Sequence, residues 1–118
     1  MEFDQEQVAE LKTCFPNLEA VPDGEQKFIL ISRLSLPPGC DPQEVDALLC
    51  PFRRDNYPSR LFLSAKVSHR GQGQNWNAVG VVIVGRRWWA VSWDTKNDKQ
   101  RLLDMVMAHL RAFECKQS

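Results

Sequence analysis

Four cysteines and two histidines are the residues of this 118-residue chain with the most chemistry to offer: Cys14, Cys40, Cys50, Cys115, His69 and His109. A thiolate can attack an activated acyl group or bind a metal, but only where its surroundings favour the charged form. No two cysteines stand in CxxC spacing, and structural zinc draws its ligands in close pairs, so no metal site is expected. Cys40 follows Pro38-Gly39 and precedes Asp41, which reads as a turn and makes it the more exposed thiol. The neighbouring carboxylate raises its pKa rather than lowering it. Cys50, in Leu49-Cys50-Pro51, closes an apolar strand and reads as buried and inert. Cys14 lies in the last turn of a helix, where the dipole disfavours a thiolate, and Cys115 lies in the tail. His69 with Asp94 or Asp98 would make a base and its orienter, but no motif supplies the nucleophile. His109, three residues after Val106, reads as nearer the polar side of the terminal helix and facing solvent.

The second constellation is aromatic. Trp76, Trp88, Trp89 and Trp93 fall within eighteen residues, beside Arg86-Arg87 and near Arg70. Stacking aromatics interleaved with cations can read single-stranded nucleic acid. However, Trp88 and Trp89 point to opposite sides of an extended chain, so they cannot share one platform. The formal net charge is zero, without the basic excess usual in nucleic-acid binders. Residues 1–60 hold six Lys and Arg against eleven Asp and Glu, a net −5, and residues 61–118 hold nine against four, a net +5. Such polarity leaves room for a local basic face that steers an acidic partner. Gly71-Gln72-Gly73 lacks the Lys-Ser/Thr and the following helix of a phosphate loop. Arg53-Arg54-Asp55 reads as a solvated turn.

These residues need elements to position them. Asp4 is a good N-cap, Gln7 completes a capping-box pattern, and Phe3 with Val8 is spaced as a hydrophobic staple. Val8, Leu11 and Phe15 follow helical spacing, so a first helix is expected over 4–14. Strands are expected at 18–21, 27–34, 45–49 and 61–67. They are separated by the turn Pro22-Asp23-Gly24, the breaker Pro37-Pro38-Gly39 and the loop 56–59. Pro51 limits the third strand to an edge or a strand end. The polar stretch 68–77 reads as an exposed loop. Residues 78–84 can form a fifth strand, and 86–93 is extended and irregular. Asn97 with Gln100, or Asp98 alone, is placed to cap a last helix, whose apolar stripe is Leu102, Leu103, Val106, Met107, Leu110 and Phe113. The expectation is a single α+β domain over 1–118: an N-terminal helix, a four-stranded antiparallel meander, an irregular Trp-rich segment and a C-terminal helix, with the helices on one face. Apolar content of 43% supports one core. No apolar run approaches the ~20 residues of a membrane span, and the acidic start is unlike a secretory signal, so a cytoplasmic location and no membrane partner are expected.

That order, with Tyr57-Pro58 ahead of the fourth strand, Phe62 shortly after, His69 following Lys66-Val67, Trp88, and the helix from Leu102, resembles the ubiquitin-conjugating (E2) superfamily with its RWD-type relatives. The Leu36-Pro37-Pro38-Gly39 segment and the Trp-rich tail are similar to bacterial members found beside E1-like and peptidase genes. The resemblance implies a scaffold whose partners are a ubiquitin-like protein, an E1-like adenylating enzyme or a catalytic E2, with no cofactor. It also implies a catalytic cysteine near Val79 or Gly80, where this chain has none. His69 is followed by Arg70-Gly71, so the Pro-Asn of the family's His-Pro-Asn turn, and with it the donor to the oxyanion, is missing; such donors are worth ~2.7–4 kcal/mol. The expectation is a non-catalytic, adaptor-like domain that binds through the first helix (Glu6, Gln7, Glu10), Tyr57 and the loop residues His69, Arg70 and Trp76. The alternatives are a diverged enzyme carrying its acyl group on Cys40 or Cys50, and a small scaffold or nucleic-acid-binding domain outside ubiquitin chemistry.

Overall fold

The computed structural model describes residues 3–71, 73, 76–93, 95 and 100–113. The chain opens with helix α1 (Gln5–Cys14), and eight strands follow: β1 (Leu18–Asp23), β2 (Gln26–Ser35), β3 (Cys40–Asp41), β4 (Glu44–Cys50), β5 (Arg60–Leu63), β6 (Ser68–His69), β7 (Trp76–Ile83) and β8 (Arg86–Val91). Helix α2 (Leu102–Leu110) and a 3-10 turn (Arg111–Phe113) complete it. The α+β class with antiparallel pairing and a helix at each end is as expected. The sheet, however, has six strands rather than four, in the order β1-β2-β4-β5-β8-β7, and β3 pairs with β6 in a separate two-stranded ribbon.

Of the two additional sheet strands, β7 contains most of the 78–84 stretch that could form a fifth strand, and β8 comes from the segment expected to be irregular. Trp88 and Ala90 turn to one face, while Arg87 and Trp89 turn to the other, the period-two pattern of a regular strand. Its partner β7 carries an extra residue at Asn77 and another at Gly80, as the register slips between Trp76/Ala78 and Val79/Val81 show. Two bulges break the alternation that a reader of the sequence looks for. Strand β5 is shorter than the expected 61–67, ending at Leu63, and the expected loop 68–77 contains β6 and the start of β7. Pro51 directly follows β4, which is internal, between β2 and β5.

Each face of the sheet has its own core. On one face Ile29, Ile31, Ala47, Leu49, Leu61 and Leu63 meet Leu11 of α1 and Leu102, Met105, Val106 and Leu110 of α2. On the other, Phe28, Leu48, Cys50, Phe62, Ile83 and Trp88 pack together without a helix. Six strands laid flat would separate the outermost pair by roughly 24 Å at ~4.8 Å per step. Yet the Val84 amide donates to Asp23 Oδ2 at 3.0 Å, joining the end of β1 to the β7–β8 turn. The sheet therefore curls around its helix-free face, and that face becomes an interior. Trp88 is fully buried there, its indole N–H donating to Ile83 O at 2.9 Å. Trp76 and Trp93 pack on the helix side instead, Trp93 donating to Ala108 O at 2.9 Å.

The two helices are tied directly. Asp4 caps α1, accepting the Glu6 and Gln7 amides at 2.9 and 3.2 Å. Gln7 does not reciprocate within α1: its Oε1 accepts the Leu102 amide at 2.9 Å and so caps α2 from another helix. The N-cap position of α2 is Arg101, which makes no side-chain cap bond, and its Nε pairs with Glu10 Oε1 at 3.0 Å. The expected caps Asn97 and Asp98 lie outside the described residues.

Candidate functional site

Of the chemistry-bearing residues, Cys40 and His69 are brought together from 29 positions apart. Ribbon β3–β6 sets them directly opposite one another, with Asp41 opposite Ser68. The ribbon is secured by the Arg70 amide donating to Gly39 O at 2.8 Å. Gly39 has φ +95°, and a Cβ there would meet Arg70 Cγ at 3.0 Å and His69 Nε2 at 3.2 Å. Only glycine fits this close approach, which seats the Arg70 stem over the backbone. Arg70 itself is exposed and held at φ +52°.

A cysteine opposite a histidine is the raw material of a nucleophile and its base. Here the arrangement favours the neutral thiol. Cys40 is 6% exposed and His69 8%, so Cys40 is not the accessible turn thiol that the Pro-Gly-Cys-Asp sequence suggests; the strand pairing buries it. Burial pushes its pKa up. His69 Nε2 lies 3.1 Å from Pro38 O, and since a carbonyl only accepts, that nitrogen carries the proton. Cys50 is fully buried on the helix-free face, its Sγ donating to Phe52 O at 3.4 Å, and burial pushes its pKa up to about 11. Of the cysteines described, only Cys14 is exposed; Cys115 lies outside the described residues. Val79 and Gly80, where the resemblance implies a sulfur, stand on β7, one of the two edge strands, with Gly80 at φ +67° in its bulge.

The expected binding residues divide between surface and framework. Glu6 is exposed on the first turn of α1. Gln7 and Glu10 are engaged with α2 through Leu102 and Arg101. Tyr57 is half-buried, its hydroxyl 2.9 Å from Ser92 Oγ and its ring under the Arg60 guanidinium at 4.4 Å. Trp76 is half-buried against the helix-side core. The partners Asp94 and Asp98 considered for His69 lie outside the described residues, as do Gln72, Gln74 and Asn75 of its loop.

Two features escape a reading of the sequence. Arg60, beside Tyr57-Pro58, is 1% exposed and still charged, donating to Asp55 Oδ2 at 2.7 Å, Asn77 Oδ1 at 3.0 Å and Val91 O at 3.4 Å. The turn around Arg53-Arg54-Asp55 thus supplies the counter-ion of a buried cation as well as facing solvent. His109 is the second: it is 5% exposed rather than solvent-facing, with Nε2 2.9 Å from the hydroxyl of fully buried Ser59. Burial, with Arg60 nearby, lowers its pKa to about 4, so it is a neutral imidazole at pH 7. The apolar stripe of α2 runs Leu102, Met105, Val106, His109 and Leu110, leaving Met107 half exposed. The signal was the i+3/i+4 spacing of His109 from Val106 and Met105, obscured by counting Leu103 and Met107 into the stripe.

No group of three His, Cys, Asp or Glu among the described residues is placed to hold a metal ion. Among them, too, no helix is long and apolar enough to cross a membrane. Comparisons of the chain with protein-family models, with curated proteins and with solved structures find no match.

Proposed function

We propose that this chain is a non-catalytic domain of the ubiquitin-conjugating type, working by protein–protein binding in a bacterial ubiquitin-like conjugation system. One observation carries the proposal: the position expected to hold the nucleophile falls on Val79-Gly80, and the two candidate substitute thiols, Cys40 and Cys50, are both buried and held protonated. Acyl transfer needs a thiolate that can reach a thioester carbonyl, and neither group provides one. The features on which the resemblance rests have structural employment: the helix precedes the meander, Tyr57-Pro58 leads into β5, and Trp88 is fully buried. A scaffold that keeps its framework without a nucleophile retains binding surfaces, here Glu6 on α1 and Arg70 beside the β3–β6 ribbon.

Incubation with a bacterial E1-like adenylating enzyme, ATP and its ubiquitin-like protein tests this. A non-covalent complex with one of these proteins is expected, and no thiol-sensitive adduct on this chain. An adduct that vanishes in Cys40→Ser or Cys50→Ser would establish an enzyme instead. Failure to bind either protein would remove the chain from this chemistry.

A further inference from the structure

The β7–β8 hairpin ends the sheet, so one side of β7 has no neighbouring strand. Its turn is Val84-Gly85, both at positive φ (48° and 75°), as a two-residue type I′ hairpin requires. In such a hairpin the flanking pair, Ile83 and Arg86, exchanges both backbone hydrogen bonds, and the next pair, Val82 and Arg87, exchanges none. The Val82 N–H and C=O therefore point away from β8, along the unpaired edge.

Natural sheet edges are usually protected by charge or proline. Edge strand β1 is, through Glu19, Pro22 and Asp23. Strand β7 has neither over its eight residues, Trp-Asn-Ala-Val-Gly-Val-Val-Ile, and Val79 and Val82 are 58% and 64% exposed. They share a face with half-exposed Trp89. Apart from Asp23, which accepts the Val84 amide at the turn, the charge over this edge among the described residues comes from the neighbouring strand. Arg87 reaches across β7 to donate to Gly80 O at 3.4 Å, and no carboxylate among the described residues pairs with it. Arg86, by contrast, is neutralised by Asp46 at 3.0 Å. The bulge at Gly80, having no side chain, leaves the Arg87 guanidinium lying over the strand.

We infer that the open edge of β7 is a strand-addition site for an extended segment of a partner protein that alternates apolar and acidic residues. Backbone pairing at Val82 would supply the register, Val79, Val82 and Trp89 the apolar contacts, and Arg87 the preference for a carboxylate. The inference goes beyond the proposed function and does not rest on it.

The test is titration of the full 15N-labelled chain with capped octapeptides alternating valine with glutamate, glutamine or lysine. Expected is binding of the glutamate peptide with shifts confined to β7 and β8, slowed exchange of the Val82 amide, and at least tenfold weaker binding of the lysine peptide. Arg87→Gln should bring the glutamate peptide to the level of the glutamine one. Val82→Pro, which removes an outward N–H and no ladder bond, should abolish binding; should that variant misfold, Val82→Lys serves in its place. The inference falls if the glutamate peptide does not bind, if the three peptides bind equally, or if binding survives both Val82 variants. It also falls if sedimentation shows a dimer dissociated by Val82→Lys, since the edge would then belong to a second copy of this chain.

Discussion

Ser59 and His109 meet at 2.9 Å with both side chains buried, so the pair has consequences for stability. Removing the hydroxyl strands a buried ring nitrogen, and Ser59→Ala should cost about 1–3 kcal/mol in denaturant unfolding. The acid side follows from linkage. The folded pKa of His109, about 4, lies below the ordinary 6.5, so between those values the unfolded chain binds a proton that the folded chain refuses. Its contribution is therefore complete above pH 6.5 and is lost as pH falls toward 4, on the order of 3 kcal/mol. His109→Gln should flatten the stability profile over that interval, and unfolding midpoints measured from pH 7 to pH 4 would show it. Asp46, held below its ordinary pKa chiefly by the Arg33 amide, adds a further loss in stronger acid. The thiols give a simpler test. Iodoacetamide on the native chain should label Cys14 and spare Cys40 and Cys50 until denaturant is added, as peptide mass mapping would report. The sequence made Cys50 legible as buried, since it closes an apolar run. It misplaced Cys40, because the Pro-Gly-Cys-Asp turn is local whereas the strand that buries Cys40 lies 29 residues away, at His69.

At the level of elements, the turn of the β7–β8 hairpin is tied to β1 by the Asp23 carboxylate. Val84 is β-branched and sits at φ +48°, an unfavourable conformation for that side chain, and its amide is fixed by Asp23. Asp23→Ala should destabilise the fold by about 1 kcal/mol and speed exchange of the Val84 amide ahead of the amides of β4. Gln7→Ala, which uncaps α2, should cost about 0.5–2 kcal/mol, a range typical of lost N-caps. The hairpin shows what limits inference from sequence. Strands β2 and β4 are long β-branched or leucine-rich runs and could be read directly. The Trp-rich hairpin is legible only in part: 78–84 reads as a possible strand, but its start at Trp76 and its pairing with 86–91 are hidden, because bulges at Asn77 and Gly80 shift the inward residues by one place twice within five positions. Likewise α1 was legible from Asp4, while the cap of α2 was not, since it comes from residue 7.

The molecule as a whole depends on its two ends meeting. Helices α1 and α2 cover the same face of the sheet, joined by Gln7–Leu102 and Glu10–Arg101. Deleting residues 1–15 should therefore reduce the far-UV helical signal by more than the share of α1, because α2 loses its cap and part of its apolar bed. A loss limited to α1 alone would show that α2 stands independently. The bond between positions 7 and 102 also bears on biosynthesis. Helix α1 leaves the ribosome well before α2, so from the emergence of β4 and β5 until that of α2 the helix-side leucines lack half of their cover. Closing so long a loop comes late, and the nascent chain has every reason to engage a chaperone until α2 emerges.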